Sequence, residues 1–166
     1  MIDDCIRIKY GYRWSDFIKI IHISDTDGAF TKDCIKKSDV ASIQYFTDHI
    51  QAPDENIVYK RNEHKSEIML KLFSTGRVHS IPYKLYFNSC NLEHVLYNKL
   101  KDFSDEEKKT MADDFADKYE GKVKDFIAFI SDEKIAIKGN YRETCEHIIK
   151  DKNSLNRYSN MRFIFE

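Results

Sequence analysis

The run Phe17-Ile18-Lys19-Ile20-Ile21-His22-Ile23 is nearly unbroken in apolar character and stops at Ser24-Asp25-Thr26-Asp27-Gly28. A short, β-branched apolar run of this kind reads as a strand covered on both faces, the central strand of an α/β sheet. Asp and Gly favour a turn directly after it.

The other segments are read around that strand. Ile6, Ile8 and Tyr10 suggest a first strand within Ile2 to Tyr10, followed by a turn over Gly11 to Ser15. Val40, Ile43, Phe46 and Ile50 have helical spacing and predict a helix from Asp39 to Ile50. Residues 51–58 read as a polar connection. A helix is expected from Asn62 to Phe73, with Ile68, Met69, Leu72 and Phe73 on one face. A strand from Tyr83 to Asn88 follows, introduced by Pro82. Asn91 then predicts an N-cap for a helix over Leu92 to Leu100. Ser104 with Glu107 forms a capping box for Asp105 to Tyr119, with Met111, Phe115 and Tyr119 inward. Val123 to Ile130 reads as a shorter helix, Asn140 with Glu143 caps another reaching about Lys150, and Met161 to Phe165 reads as a last strand. Strands sparsely alternating with helices predict an α/β fold with a small, mostly parallel sheet flanked by helices. The whole of residues 1–166 is expected to form one domain, with 92–150 a mainly helical portion.

Composition narrows the functional classes. The 27 basic residues against 28 acidic ones leave a formal net charge of −1, so no global basic field exists to grip nucleic acid, and any such contact needs a local patch. The four cysteines, Cys5, Cys34, Cys90 and Cys145, include no close pair of the sort that holds zinc. No apolar run approaches the ~18–20 residues of a membrane span, and no secretory leader opens the chain. The expectation is a cytoplasmic protein with reduced thiols and no membrane partner.

Three places can carry chemistry. Asp25 and Asp27 stand one residue apart at the carboxyl end of a strand, where ligands of open α/β sheets collect. Hard divalent cations such as Mg²⁺ or Mn²⁺ take one or two carboxylates together with waters and phosphate oxygens, so these residues are candidate metal ligands; an ordinary Asp-Gly turn is the structural alternative. The second place is Asn88-Ser89-Cys90-Asn91-Leu92-Glu93-His94, again where a strand gives way to a helix. Glu93 would be a third acidic ligand or a base, and Ser89 and Asn91 would bond a phosphate at the helix start. Simple helix capping by Asn91 competes with that reading. His94 is read as a partly buried, hydrogen-bonded side chain before a base, and a Cys90–His94 catalytic pair is given little weight. The third place is Lys60-Arg61-Asn62-Glu63-His64-Lys65, where Lys60, Arg61 and Lys65 would contact the phosphates of a nucleotide or nucleic acid, or else form a solvated helix face. The acidic groups at 102–107 and Asp113, Asp114 and Asp117 are expected to face water.

From Phe17 to Leu96, the strand ending in Asp25-Thr26-Asp27 and the later Ser89-Cys90-Asn91-Leu92-Glu93-His94 resemble TOPRIM-type proteins, most of all the small stand-alone members related to the RloB and OLD-nuclease group. That resemblance implies a TOPRIM or Rossmann-like fold and a Mg²⁺-dependent nuclease or phosphoryl-transfer activity of the sort found in phage and defence loci. Asp25, Asp27 and Glu93 would be its metal-binding and catalytic residues. TOPRIM domains place a glutamate upstream of the DxD. Here only Asp3 and Asp4 precede the strand with acidic character, which keeps open a non-catalytic module that binds a nucleotide, a nucleic acid or another protein. Asp25-Thr26-Asp27-Gly28-Ala29-Phe30 also resembles the first motif of haloacid-dehalogenase-like phosphatases. There Asp25 would be the nucleophile, Asp27 the acid/base and Ser89 the second motif.

Overall fold

A computed structural model describes residues 5–100 and 103–166. Its strands are β1 (Ile20–Asp25), β2 (Ile35–Lys37), β3 (Gln44–Tyr45), β4 (Ile50–Ala52), β5 (Arg77–Val78) and β6 (Ile81–Asn88). The α-helices are α1 (Glu55–Ser74), between β4 and β5, then α2 (Leu92–Tyr97), α3 (Asp105–Tyr119), α4 (Val123–Ile130) and α5 (Tyr141–Ile148). The architecture is α/β, and every α-helix or strand named after β6 is a helix, as expected for the C-terminal half.

The strands form two small sheets, each mixed. In one, β6 lies between β1 and β5, parallel to β1 and antiparallel to β5. In the other, β4 lies between β2 and β3, parallel to β2 and antiparallel to β3. The expected single, mostly parallel sheet is therefore corrected. So is the central position of the first strand: β1 is an edge. Ile21 and Ile23 are 45% and 46% exposed on its outer face, while His22 turns inward and its Nδ1 meets the Tyr83 hydroxyl at 2.6 Å. Apolar residues on both faces imitate a doubly covered strand whether or not a cover is present. The strand that is doubly covered is β6, with Leu85, Tyr86 and Phe87 fully buried.

Three further expectations are corrected. The segment 39–50 is not a helix. It folds into the β3–β4 hairpin, in which Tyr45 pairs with Ile50 and the Phe46 N–H bonds the His49 carbonyl at 2.9 Å. Ile50 is drawn into a core of Cys34, Ala52, Val58 and Leu155, a tertiary gain that overrides weak helical spacing. The tail is not a strand: Met161–Ile164 is a 3₁₀ turn. The neighbouring Asn160 and Ser159 instead spend their side chains on β6, where Asn160 Oδ1 accepts from the Phe87 N–H at 2.8 Å and Ser159 Oγ donates to the Phe87 carbonyl at 3.0 Å. At the start, Cys5–Lys9 is a π-helical turn where a strand was expected, and residues 2–4 of that expected strand lie outside the described residues.

Capping signals were read more accurately. Asn91, Ser104 and Asn140 cap α2, α3 and α5, the last two through reciprocal boxes with Glu107 and Glu143. Helix α1 begins earlier than expected because Asp54 is its N-cap, accepting from the N–H groups of Asn56 and Ile57 at 2.9 and 3.3 Å.

The buried face of α1 is Val58, Asn62, Ser66 and Met69, one residue per turn with two polar members. Both polar side chains hold the loop after β1. Asn62 Nδ2 donates to the Gly28 carbonyl at 2.9 Å, and Ser66 Oγ accepts from the Phe30 N–H at 2.8 Å. Gly28 itself has φ +75°, and a Cβ there would stand 2.5 Å from Ile50 Cδ1 and 3.3 Å from Leu155 Cδ2. Left-handed backbone and close packing both demand glycine. Gly28→Ala is expected to lower unfolding free energy by about 1–3 kcal/mol, read from the urea midpoint at unchanged m-value. A midpoint equal to wild type would mean that the turn is not clamped as described.

Candidate functional site

The loops after β1 and β6 are held together by backbone. The parallel register runs to Asp25 opposite Asn88. Beyond it the Thr26 N–H bonds the Asn88 carbonyl at 2.9 Å and the Asp27 N–H bonds the Cys90 carbonyl at 2.8 Å. Thr26 Oγ1 accepts from the Cys90 N–H at 2.8 Å and donates to the Ser154 carbonyl at 2.9 Å. Asp27 and Cys90 both adopt left-handed backbone, at φ 47° and 58°, so each loop turns sharply just past its strand. These bonds bring the DTDG turn and the start of α2 side by side, as the sequence led us to expect.

Asp25 sits at the centre of that junction. Its Oδ1 accepts from Asn88 Nδ2 at 3.3 Å, and Asn88 is oriented because its Oδ1 accepts from Ser159 Oγ at 3.1 Å. Burial pushes the Asp25 carboxyl up from its ordinary 3.8 to about 6, with the negative charge of Asp27 next in weight and that of Glu93 adding to it. The bonds from Asn88 and the Leu92 N–H offset only part of this rise. The three acidic residues singled out from the sequence therefore share one electrostatic field. Among the described residues, however, no three His, Cys, Asp or Glu side chains form a ready metal-holding group. A complete set of ligands made of side chains alone is not built here.

The basic residues divide. Lys65 Nζ forms an ion pair with Asp27 Oδ2, both partly exposed. Arg61 Nη2 donates to the Asp27 carbonyl at 2.8 Å and, with Nε, to Asn62 Oδ1 at 2.7 and 3.0 Å, so much of its guanidinium fork is committed to the turn. Its guanidinium carbon also stands 6.0 Å from the centre of the Tyr45 ring. Lys60 is exposed on α1 and belongs to the solvated face.

Two assignments are corrected. Ser89 is fully buried, its hydroxyl donating to the Asn153 carbonyl at 2.9 Å and its N–H to the Tyr158 carbonyl at 2.7 Å, so it offers nothing to a phosphate. The second phosphatase motif loses its hydroxyl with it. Asn91 spends Oδ1 on the His94 N–H at 2.8 Å and acts as a helix cap. Cys90 is fully buried and burial pushes its thiol up to about 12, which removes it as a nucleophile. His94 is buried, and burial with the charge of Arg157 lowers it to about 4, so it is neutral at pH 7. Asp113, Asp114 and Asp117 face water as expected, and Asp102 lies outside the described residues.

Sequence reasoning missed Thr26, Asn62, Ser66, Tyr45 and the segment 153–160. The signal for Asn62 and Ser66 was available: they sit four residues apart and continue the buried stripe through Val58 and Met69.

Family models, curated proteins and solved structures were all compared with this chain, and none matches it.

The raised Asp25 carboxyl fixes the sign of a pH effect. Its proton is held more tightly folded than unfolded, so its stabilising contribution is complete below about pH 4 and is lost as pH rises through about 6. Asp25→Asn removes the buried charge. It is expected to raise the melting temperature above pH 6 by about 2–6 °C, consistent with ~1–2 kcal/mol in a chain of this size, with little gain near pH 4. An equal change at both pH values, in melts followed by circular dichroism, would show that Asp25 is not electrostatically crowded.

Proposed function

We propose that this protein is a metal-dependent phosphoryl-transfer or nuclease-like protein of TOPRIM type, acting at the junction of the β1 and β6 loops. The observation that carries the reading is the gathering of acidic groups at the two strand ends: Asp25 is partly buried, and the charges of Asp27 and Glu93 add to burial in opposing its ionisation. In an open α/β arrangement such a cluster at parallel strand ends is where a cation and a phosphate are expected.

The donor chemistry fits Mg²⁺ or Mn²⁺. These ions are content with one or two carboxylates and keep several waters, so Asp25 and Asp27 suffice to hold one, with Glu93 nearby. Such an ion supplies charge neutralisation and polarises a phosphoryl oxygen. The chain supplies the rest. Asn88 orients the Asp25 carboxylate, Arg61 holds the Asp27 carbonyl, Asn62 holds the Gly28 carbonyl, and Lys65 stands beside Asp27 as a partly exposed ammonium. Three carboxylates against Arg61 and Lys65 leave one excess negative charge. A divalent cation reverses that sign and makes the site attractive to a phosphodiester.

The test is cleavage of single- and double-stranded DNA and RNA with Mg²⁺, Mn²⁺ or chelator, with metal binding followed separately by thermal shift. Mg²⁺ or Mn²⁺ should support cleavage and raise the melting temperature. Asp25→Ala should abolish the first and remove the second. Metal binding without cleavage of any substrate would assign the same residues to a non-catalytic binding module. An Asp25→Ala, Asp27→Ala double variant with an unchanged metal-induced shift would refute the site.

A further inference from the structure

We infer that the cavity next to the carboxylates is a stacking pocket for an unpaired nucleobase, belonging to a nucleotide or single strand whose phosphate reaches the junction beside Asp27 and Lys65. This rests on the phosphoryl-transfer reading above and deepens it by naming the substrate class.

The cavity encloses about 440 Å³, within the ~300–1,000 Å³ of small-ligand sites. One wall is the β3–β4 hairpin, contributing Ile43, Tyr45 and Phe46; the opposite wall is Leu100 and Phe103, from the connection between α2 and α3. The polar groups lining the cavity are Ser42, Gln44, Asn91, Glu93 and Lys108. Aromatic faces with a few polar groups at their edge are what an unstacked base requires.

Two observations tie this cavity to the carboxylates. Glu93 lines it and acts on the charge of Asp25. Tyr45 lines it and lies beneath Arg61, whose Nη2 holds the Asp27 carbonyl. The cavity therefore adjoins the acidic junction, within reach of the sugar-phosphate of a base seated in it.

The Phe46 ring is prepared for stacking. It is 37% exposed at the cavity, yet it lies flat on the His49 ring at 4.4 Å and 1°. That imidazole is itself fixed, with Nδ1 2.7 Å from Asp48 Oδ1 and Nε2 3.1 Å from Gln51 Nε2. An exposed aromatic ring held in one orientation loses little freedom on binding.

The experiment measures binding of a short labelled oligodeoxyadenylate, the same strand built of abasic units, and its duplex, by fluorescence anisotropy with Ca²⁺ replacing Mg²⁺. Wild type should bind the unpaired strand most tightly. Phe46→Ala should weaken that binding by about 5- to 100-fold and leave the abasic strand unchanged, and Phe46→Trp should restore it. Circular dichroism melts of each variant confirm folding, which exposure of Phe46 favours. Competition with AMP separates the sources: displacement assigns the pocket to free nucleotides, and retention assigns it to strands. Equal binding of abasic, duplex and unpaired strands, or a folded Phe46→Ala protein that binds as wild type does, would overturn the inference. Loss of cleavage with a persisting Phe46 effect would instead count against the phosphoryl-transfer reading alone.

Discussion

The parallel pairing of β1 with β6, continued past both strand ends through the Thr26–Cys90 hydrogen bonds, is the constraint on which the candidate site depends. Without it Asp25 and Asp27 would sit on an edge loop far in sequence from Glu93. With it, the two turns share backbone donors and acceptors. Thr26 is fully buried and satisfied at both ends of its hydroxyl, by the Cys90 N–H and the Ser154 carbonyl. A buried polar group costs free energy unless paired, so this pairing specifies the loop geometry as much as it stabilises it.

The same logic explains the polar residues on the buried face of α1. Asn62 and Ser66 occupy positions that a purely packing helix would give to Leu or Ala. Ser66 satisfies the Phe30 N–H, and Asn62 adds a donor to the Gly28 carbonyl, which Thr31 also bonds. From the other side, residues 153–160 satisfy Ser89, Thr26 and the β6 edge. Three stretches remote in sequence thus converge on one loop pair.

How much of this was legible follows from the range of each interaction. The caps at Asn91, Ser104 and Asn140 are local, and reading side chains three residues apart located those helix starts. The DTDG turn and the strand before Asn88 were legible for the same reason. The covering of β1 and the residues before it was not: Ile18, Ile21 and Ile23 carry an apolar pattern that implies a cover, and nothing in the local sequence reveals that they remain 92%, 45% and 46% exposed. Ile50 was misread because its burial against Leu155 and Cys34 is a tertiary event. Ser89 was misread because its hydroxyl is claimed by Asn153, sixty-four residues away.

The distribution of charge in the site separates what positions the turn from what can respond to a ligand. Arg61 is tied to backbone and to Asn62, and its planar fork suits a fixed support. Lys65 makes a single ion pair with a partly exposed carboxylate, an interaction that water and salt weaken and that a competing cation can replace. Asp25, drawn inward and poorly compensated, is the group with most to gain from a cation, while Asp27 already has a neighbour of opposite sign. Entry of positive charge at Asp25 therefore relieves a cost already built into the folded chain. The asymmetry between the two aspartates follows from one strand pairing and one helix face.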